Sequence, residues 1–221
     1  MNSAIIANGS IDALSRLLPS ISSHDRIVAV DGGLIYCHAA NIKPDLLVGD
    51  FDSCPPSLLA AYQHIPRIEL HPNKDRTDLE VAIEKEMQHA QDSPVGTERK
   101  IKRDSARITL FGAWGRRIDH SLTNALILGR HPNILRLETE TELAFAIQGT
   151  VHLKCKEGQT LSLIPLYGPA KGISTSGLKW ELSQGTLDQN FIGISNICLK
   201  KEISISILEG SLLCLILSPS L

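Results

Sequence analysis

The stretch Pro44-Asp45-Leu46-Leu47-Val48-Gly49-Asp50-Phe51-Asp52-Ser53 is apolar through Leu46, Leu47 and Val48 and then stops at two carboxylates held one residue apart. A short apolar run bounded by Gly and Asp reads as a buried strand. If the backbone stays extended through Phe51, Asp50 and Asp52 share a face and can both point at one hard cation. The stretch therefore predicts a metal site at a strand end.

The same pattern recurs on either side of it. Ala4 to Ala7, Ile27 to Val30 before Asp31-Gly32-Gly33, and Ile108 to Phe111 before Gly112 are apolar runs ending in small or acidic residues, with helical patterns between them. Strand, turn and helix in repetition predict a mainly parallel sheet with helices on both faces, whose ligands bind beyond the carboxyl ends of the strands. The best supported helix follows Asp75: Leu79, Ala82, Ile83 and Met87 recur on one face, and Thr77-Asp78-Leu79-Glu80 fits a capping box with Thr77 as N-cap. From Asp92 to Asp104 the chain is polar and charged and reads as a surface connection. Beyond about Glu138 the period changes to two, as in Thr160-Leu161-Ser162-Leu163-Ile164 and Ile203-Ser204-Ile205-Ser206-Ile207. With no helical pattern between such segments, an all-β antiparallel sandwich or barrel is expected. The boundary is placed between residues 137 and 138, giving domains 1–137 and 138–221.

Composition narrows the function. The 221 residues are 43% hydrophobic and 21% charged, which fits a globular chain with an adequate core, and the formal charge is −2. There is no basic field for nucleic acid or an anionic membrane, so phosphate binding must be local and metal-assisted. The five cysteines are dispersed with no Cys-x-x-Cys pair, which fits reduced thiols in a cytoplasm. The first residues lack the basic region of a signal peptide, and Leu212-Leu213-Cys214-Leu215-Ile216-Leu217 is too short to cross a bilayer. Neither export nor a membrane span is expected.

Four clusters fall at strand ends or helix starts: Asp31-Gly32-Gly33, Asp50-Phe51-Asp52, Asn73-Lys74-Asp75-Arg76-Thr77-Asp78 and Gly112 through His120. Singly, each has a plain explanation. A Gly pair is a turn, an Asp-x-Asp is a loop or cap, and Asp75 and Asp78 oppose a helix macrodipole. Together on one edge, the carboxylates of Asp50, Asp52, Asp75 and Asp78 would repel one another and require a divalent cation and a cationic counterweight. Lys74, Arg76, Arg116 and Arg117 can supply the latter. These are the parts that phosphoryl-type transfer from a nucleotide requires, although no Walker A loop is present. A Gly-x-Ser-x-Gly elbow and a His-Glu-x-x-His zinc motif are also absent, and His120 beside Asp119 reads as a helix start. In the β region, Trp180 reads as a core aromatic and Ser195-Asn196 as a turn, unless the ligand is a flat, partly cationic ring that would stack on the indole.

These residues in this order resemble the thiamine pyrophosphokinase family over nearly the whole chain. The resemblance is carried by Asp31-Gly32-Gly33, Pro44 through Ser53, Lys74 through Asp78, Gly115 through His120, Gly177-Leu178-Lys179-Trp180 and Ser195-Asn196. It implies a Rossmann-like, mainly parallel α/β domain that binds ATP, followed by an antiparallel β-sandwich that binds thiamine. It also implies a homodimer with the vitamin held between subunits, and transfer of the diphosphoryl group of MgATP to thiamine with release of AMP. Carried over at matching positions, Asp50, Asp52 and Asp78 would hold Mg²⁺ with Asp75 in support. Asp31, Gly32, Lys74, Thr77 and Arg117 would serve ATP, while Trp180, Ser195 and Asn196 would form the thiamine pocket. Two positions depart from the family pattern: Asn73 stands where Asp is usual, and Arg116 replaces the second glycine of a Gly-Gly-Arg-x-Asp motif. Two rival readings are a metal-dependent Asp-x-Asp glycosyltransferase and a non-catalytic thiamine-binding protein.

Overall fold

A computed structural model describes residues 2–71, 75–92 and 108–217. The chain divides into two compact units, one ending at Ser121 and the other beginning at Leu122. This division by packing falls inside a helix, whereas the change of period at Glu138 marks where helices give way to alternating strands.

The first unit is built on β1 (Ser3–Ile6), β2 (Arg26–Val30), β3 (Leu46–Gly49), β4 (Arg67–Glu69) and β5 (Ile108–Phe111) in the order β5-β1-β2-β3-β4. All four pairings are parallel, as the apolar runs predict. The polar edge strand β4 has no such run and is not marked by pattern. Helices α1 (Leu14–Ile21), α2 (Gly33–Ala39), α3 (Pro56–Ala61) and α4 (Asp78–Asp92) belong to this unit, and α5 (Ile118–Arg130) is the helix in which the division falls.

Strand alternation decides what each sheet face meets. Ala4, Ile6, Ala29 and Leu47 join Leu17 and Ile21 of α1 and Leu34 and Cys37 of α2 in one buried cluster. Ser3 and Arg26, on the opposite face, meet α4: Ser3 Oγ donates to Glu86 Oε2 at 2.6 Å and Arg26 Nε to Glu86 Oε1 at 3.0 Å. Glu86 is only 1% exposed and sits on the face with Leu79, Ala82 and Ile83, while Met87, read from sequence as the fourth apolar contact, is only half-buried. A carboxylate can occupy that place because both its oxygens find donors.

The second unit is an antiparallel sandwich. One sheet runs β12 (Gly193–Ile197), β9 (Thr160–Pro165), β14 (Leu212–Leu217), β7 (Glu142–Ile147), β6 (Leu135–Glu138). The other runs β11 (Gly185–Leu187), β10 (Ala170–Ser176), β13 (Glu202–Ser206), β8 (Thr150–Lys154). Leu161, Leu163 and Cys214 from the first sheet and Ile173, Ile203 and Ile205 from the second fill one core. The apolar 212–217 segment is a strand paired on both sides, with β7 and β9. Among the described residues no helix is long and apolar enough to cross a membrane.

Candidate functional site

Because β1 to β5 are parallel, the segments that follow them leave the sheet on one edge. The chain steps outward from β1 to β4 and then returns to place β5 on the other flank of β1. That reversal opens a crevice beyond the carboxyl ends of β1 and β5. Its floor is stitched by backbone: Ala7 N–H donates to Phe111 O at 2.8 Å, Gly9 N–H to Gly112 O at 2.5 Å and Ser10 N–H to Trp114 O at 3.0 Å. Gly32 and Gly33 are required here for close approach, not for a turn, since Gly32 has an ordinary φ of −61°. A Cβ on Gly32 would lie 2.3 Å from Asn8 Oδ1, and one on Gly33 would lie 1.9 Å from Ile6 O.

The acidic turn after β3 differs from the extended geometry its sequence suggests. β3 ends at Gly49, and Phe51 takes φ +58°, so Asp50-Phe51-Asp52 is a turn and the shared-face argument does not apply. Asp31 imposes the change: its Oδ1 accepts the Phe51 N–H at 3.3 Å. The Asp31 N–H in turn donates to Val48 O at 3.0 Å. Gly49, at φ +147°, leaves room for that carboxylate, since a Cβ would fall 1.8 Å from Asp31 Oδ1. Asp50 Oδ1 then accepts the Asp52 N–H at 3.2 Å, and Asp52 Oδ1 accepts Ser53 Oγ at 2.9 Å. The two carboxylates are brought together by a side-chain-capped turn, with Asp50 half-buried and Asp52 exposed.

At the start of α4 the capping box forms as read. Thr77 Oγ1 accepts the Glu80 N–H at 3.2 Å, and Glu80 Oε2 accepts the Thr77 N–H at 3.1 Å. Asp78 is the first helical residue and Asp75 is exposed. Arg76, one of the expected cationic counterweights, pairs with Glu84 at 2.5 Å. Asn73 and Lys74 lie outside the described residues.

The loop after β5 carries two arginines with different duties. Arg117 forms a two-pronged pair with Asp119, Nε to Oδ1 at 3.1 Å and Nη2 to Oδ2 at 2.5 Å. The hydrogen bond from Arg117 is the main cause that holds the Asp119 carboxyl down at about 2, and the pair raises the Arg117 pKa in turn. Arg116 sits at φ +58°, and its Nη1 donates to Asn8 O at 3.2 Å and Asn8 Oδ1 at 3.4 Å. Asn8 thus lies between Gly32 and Arg116 and links the segments after β1, β2 and β5. The one signal for Asn8 in the sequence is that Asn8-Gly9 after the first apolar run repeats the pattern of Asp31-Gly32.

In the second unit Trp180 is 55% exposed and is not a core aromatic. Asn196 holds it from the backbone: its Oδ1 accepts the Trp180 N–H at 3.1 Å and its Nδ2 donates to Trp180 O at 2.8 Å. Ser195 and Asn196 lie on β12 at a register irregularity, with Ser195 at φ +58°, where sequence suggests a simple turn. Lys179 Nζ stands 4.6 Å from the indole centroid, so the ring already attracts a cation. Adjacency in sequence alone does not mark Lys179 as a partner of that ring.

Two family models match successive parts of this chain: "Thiamin pyrophosphokinase, catalytic domain" over residues 18–137 and "Thiamin pyrophosphokinase, vitamin B1 binding domain" over residues 148–212. The chain belongs to the thiamine pyrophosphokinase family. Thiamine pyrophosphokinase 2 of Arabidopsis thaliana is 30% identical over 172 residues, covering 73% of this chain and 60% of that protein. Thiamine pyrophosphokinase 1 of rice (Oryza sativa subsp. japonica) is 28% identical over 173 residues, covering 74% and 62%. The chain thus spans less than two thirds of the length of these plant relatives. The thiamine pyrophosphokinase of Bacillus subtilis superimposes with a TM-score of 0.82 at 22% identity, over 100% of both chains. The yeast enzyme superimposes with a TM-score of 0.80 at 17% identity, over 98% of this chain and 86% of that one. These structures share the two-domain fold of α/β sheet and β-sandwich.

Against the family pattern, the Arg116 departure preserves shape. The backbone keeps the left-handed conformation a glycine takes without strain, at a cost of roughly 1–2 kcal/mol for a residue with a Cβ. As for a metal, no group of three or more His, Cys, Asp or Glu side chains that could hold one is present among the described residues. Asp50 and Asp52 are hard oxygen donors on one short turn, which fits Mg²⁺, an ion commonly held by one or two carboxylates plus substrate phosphates and water.

Proposed function

We propose that the chain is a thiamine diphosphokinase, transferring the diphosphoryl group of ATP to the hydroxyl of thiamine to give thiamine diphosphate and AMP. The observation that carries this reading is that the residues for its two halves fall in two separately matched regions of one chain. Acidic and cationic loops lie on the carboxyl edge of the first unit, and an exposed, cation-attracting indole lies in the second.

In the reaction the thiamine hydroxyl oxygen bonds to the β-phosphorus, the bond from that phosphorus to the oxygen bridging it to the α-phosphorus breaks, and the hydroxyl proton is lost. AMP leaves with the electron pair. Positioning and charge neutralisation supply most of the catalysis. Asp50 and Asp52 are assigned to Mg²⁺; among the described residues Asp78 and its neighbour Asp75 are not grouped with them and would join the ion only with nucleotide bound. When bound, Mg²⁺ would offset charge on the phosphate oxygens. Asp31 and Gly32 shape the crevice, Asp31 by fixing the Asp50–Asp52 turn and Gly32 by admitting Asn8. Thr77 caps α4 at the turn that carries Asp75 and Asp78, and Lys74 and Arg117 are assigned to the triphosphate. Trp180 offers its face to the cationic thiazolium, Asn196 sets the indole backbone, and Ser195 borders it.

A homodimer is part of the proposal. Ile118, Leu122 and Leu126 recur every fourth residue on α5 and are 80%, 60% and 38% exposed, an apolar stripe suited to a second copy of the chain. All five cysteines are unpaired, which supports a reducing, cytoplasmic setting.

The test is direct. Purified protein with thiamine, ATP and Mg²⁺ is expected to form AMP and thiamine diphosphate in equal amounts, and no AMP without thiamine. Consumption of a UDP-sugar without AMP would instead support the glycosyltransferase reading, and thiamine binding without ATP turnover a silent binding protein.

A further inference from the structure

The sandwich of the second unit holds a cavity of about 120 Å³ that none of the residues assigned above lines. Register explains its walls. Arg136 on β6 lies directly across from Phe145 on β7, and Leu143 on β7 across from Ile216 on β14, so these four side chains share a face of the sheet. Phe145 packs on the sandwich core, so that face looks inward between the two sheets. Val151 and Leu153 of β8 close the far side, and because β8 is an edge strand the interior is accessible there.

Position 136 is therefore part of an apolar wall, and an arginine occupies it. Its Nε is shielded from solvent and has no hydrogen-bond partner among the described residues. A buried N–H without an acceptor costs about 1–3 kcal/mol. Burial also lowers the Arg136 pKa from its usual value, which the charge of Glu138 opposes. A methionine would fill the same space with neither penalty. The fold thus keeps a cation, with its Nε unmet, in the wall of a largely apolar recess.

We infer that this cavity is a binding site for a small monocarboxylate with an apolar ring or branched tail, the carboxylate bound by the Arg136 guanidinium and the tail lying on Leu143, Phe145 and Ile216. The guanidinium fork matches a carboxylate in two parallel hydrogen bonds. No carboxylate lines the cavity. His152 and Lys154 lie on the exposed face of β8 that alternates with Val151 and Leu153, so the positive charge of the inner wall is that of Arg136, tempered by Glu138. Inorganic phosphate would meet the charge but leave the apolar walls wet. The volume is close to that of an engineered apolar cavity of about 150 Å³ that holds benzene, so one ring is the scale of tail admitted.

Benzoate is the probe, titrated into the full chain and followed by calorimetry and by NMR shifts of Phe145 and the Leu143 methyls. Benzyl alcohol serves as the neutral match and inorganic phosphate as the anion without a tail. Benzoate is expected to bind saturably, and both controls at least about 10-fold more weakly. Arg136→Met should weaken benzoate about 10- to 100-fold, as loss of a charge-assisted hydrogen bond implies, with an unfolding midpoint equal to or above that of the native chain. Arg136→Lys, which keeps the charge and loses the fork, should fall between, and it decides the matter if the methionine variant does not fold. Absence of saturable benzoate binding, unchanged affinity in the variant that folds, or phosphate binding as tight as benzoate would each overturn the assignment. None of these outcomes depends on whether the chain turns over ATP.

Discussion

The acidic turn after β3 and the indole of Trp180 are held in opposite ways. Asp31, Gly49, Phe51, Asp52 and Ser53 tie the turn through successive hydrogen bonds and one close approach, so its shape is fixed before any substrate arrives. Trp180 is fixed at its backbone by Asn196, but most of its ring faces solvent, with a lysine over it. Under the proposed function the turn would carry charges that must be placed accurately, since transition-state stabilisation depends on preset geometry. Under the same proposal the indole would meet a ring that brings its own area and charge. Substitutions in the first region should therefore alter turnover and stability, and those in the second should alter vitamin affinity.

The contrast is sharpest with Asp52→Asn. The amide keeps the turn's hydrogen bonds but loses the negative charge, so turnover is expected to fall about 10²- to 10³-fold while thiamine affinity is unchanged. Equal losses in both would break the division of labour. Gly49→Ala comes next. A Cβ there meets Asp31 Oδ1 at 1.8 Å with φ at +147°, and a loss of about 2–4 kcal/mol in urea unfolding is expected, with turnover lost in parallel. Asn196→Ala removes both hydrogen bonds to the Trp180 backbone. It should cost about 1 kcal/mol of stability and weaken thiamine binding with ATP affinity unchanged in calorimetry. Arg116→Gly should be smaller still. It releases left-handed strain of roughly 1–2 kcal/mol and gives up two exposed hydrogen bonds, so a net gain of about 0.5–1 kcal/mol is expected in thermal unfolding. Net destabilisation would show that the Asn8 contact outweighs the strain.

How much of this was legible depends on the range over which each feature is determined. The capping box is set by residues three apart, and Thr77 and Glu80 form it as their spacing predicts. Strands β1, β2, β3 and β5 are buried on both faces and show as apolar runs, but β4 is a three-residue edge strand with an exposed, half-buried, exposed pattern, which gives no such signal. The bend at Phe51 was not legible because its cause, the Asp31 carboxylate, lies 20 residues away. Glu86 was hidden for the same reason. A helical wheel places it with the apolar face, and only Ser3 and Arg26, 83 and 60 residues distant, make that burial tolerable.

The weakest expected effect concerns the exposed pair of Arg117 and Asp119, and it asks whether the phosphate side is preset at that loop too. With its folded pKa depressed to about 2, Asp119 contributes to stability above its unfolded value of about 3.9, and the contribution disappears as pH falls from about 4 toward about 2. Both partners face solvent, and salt should weaken the pair. NMR of the Asp119 carboxyl should therefore show titration near 2 in the native chain, and near the ordinary aspartate value in Arg117→Gln. If Arg117 is to reach a triphosphate it must let go of Asp119, so adding ATP should move the Asp119 pKa in the same direction as the substitution. An Asp119 that titrates identically with and without ATP would place Arg117 in the structure of the loop and leave the nucleotide to Lys74.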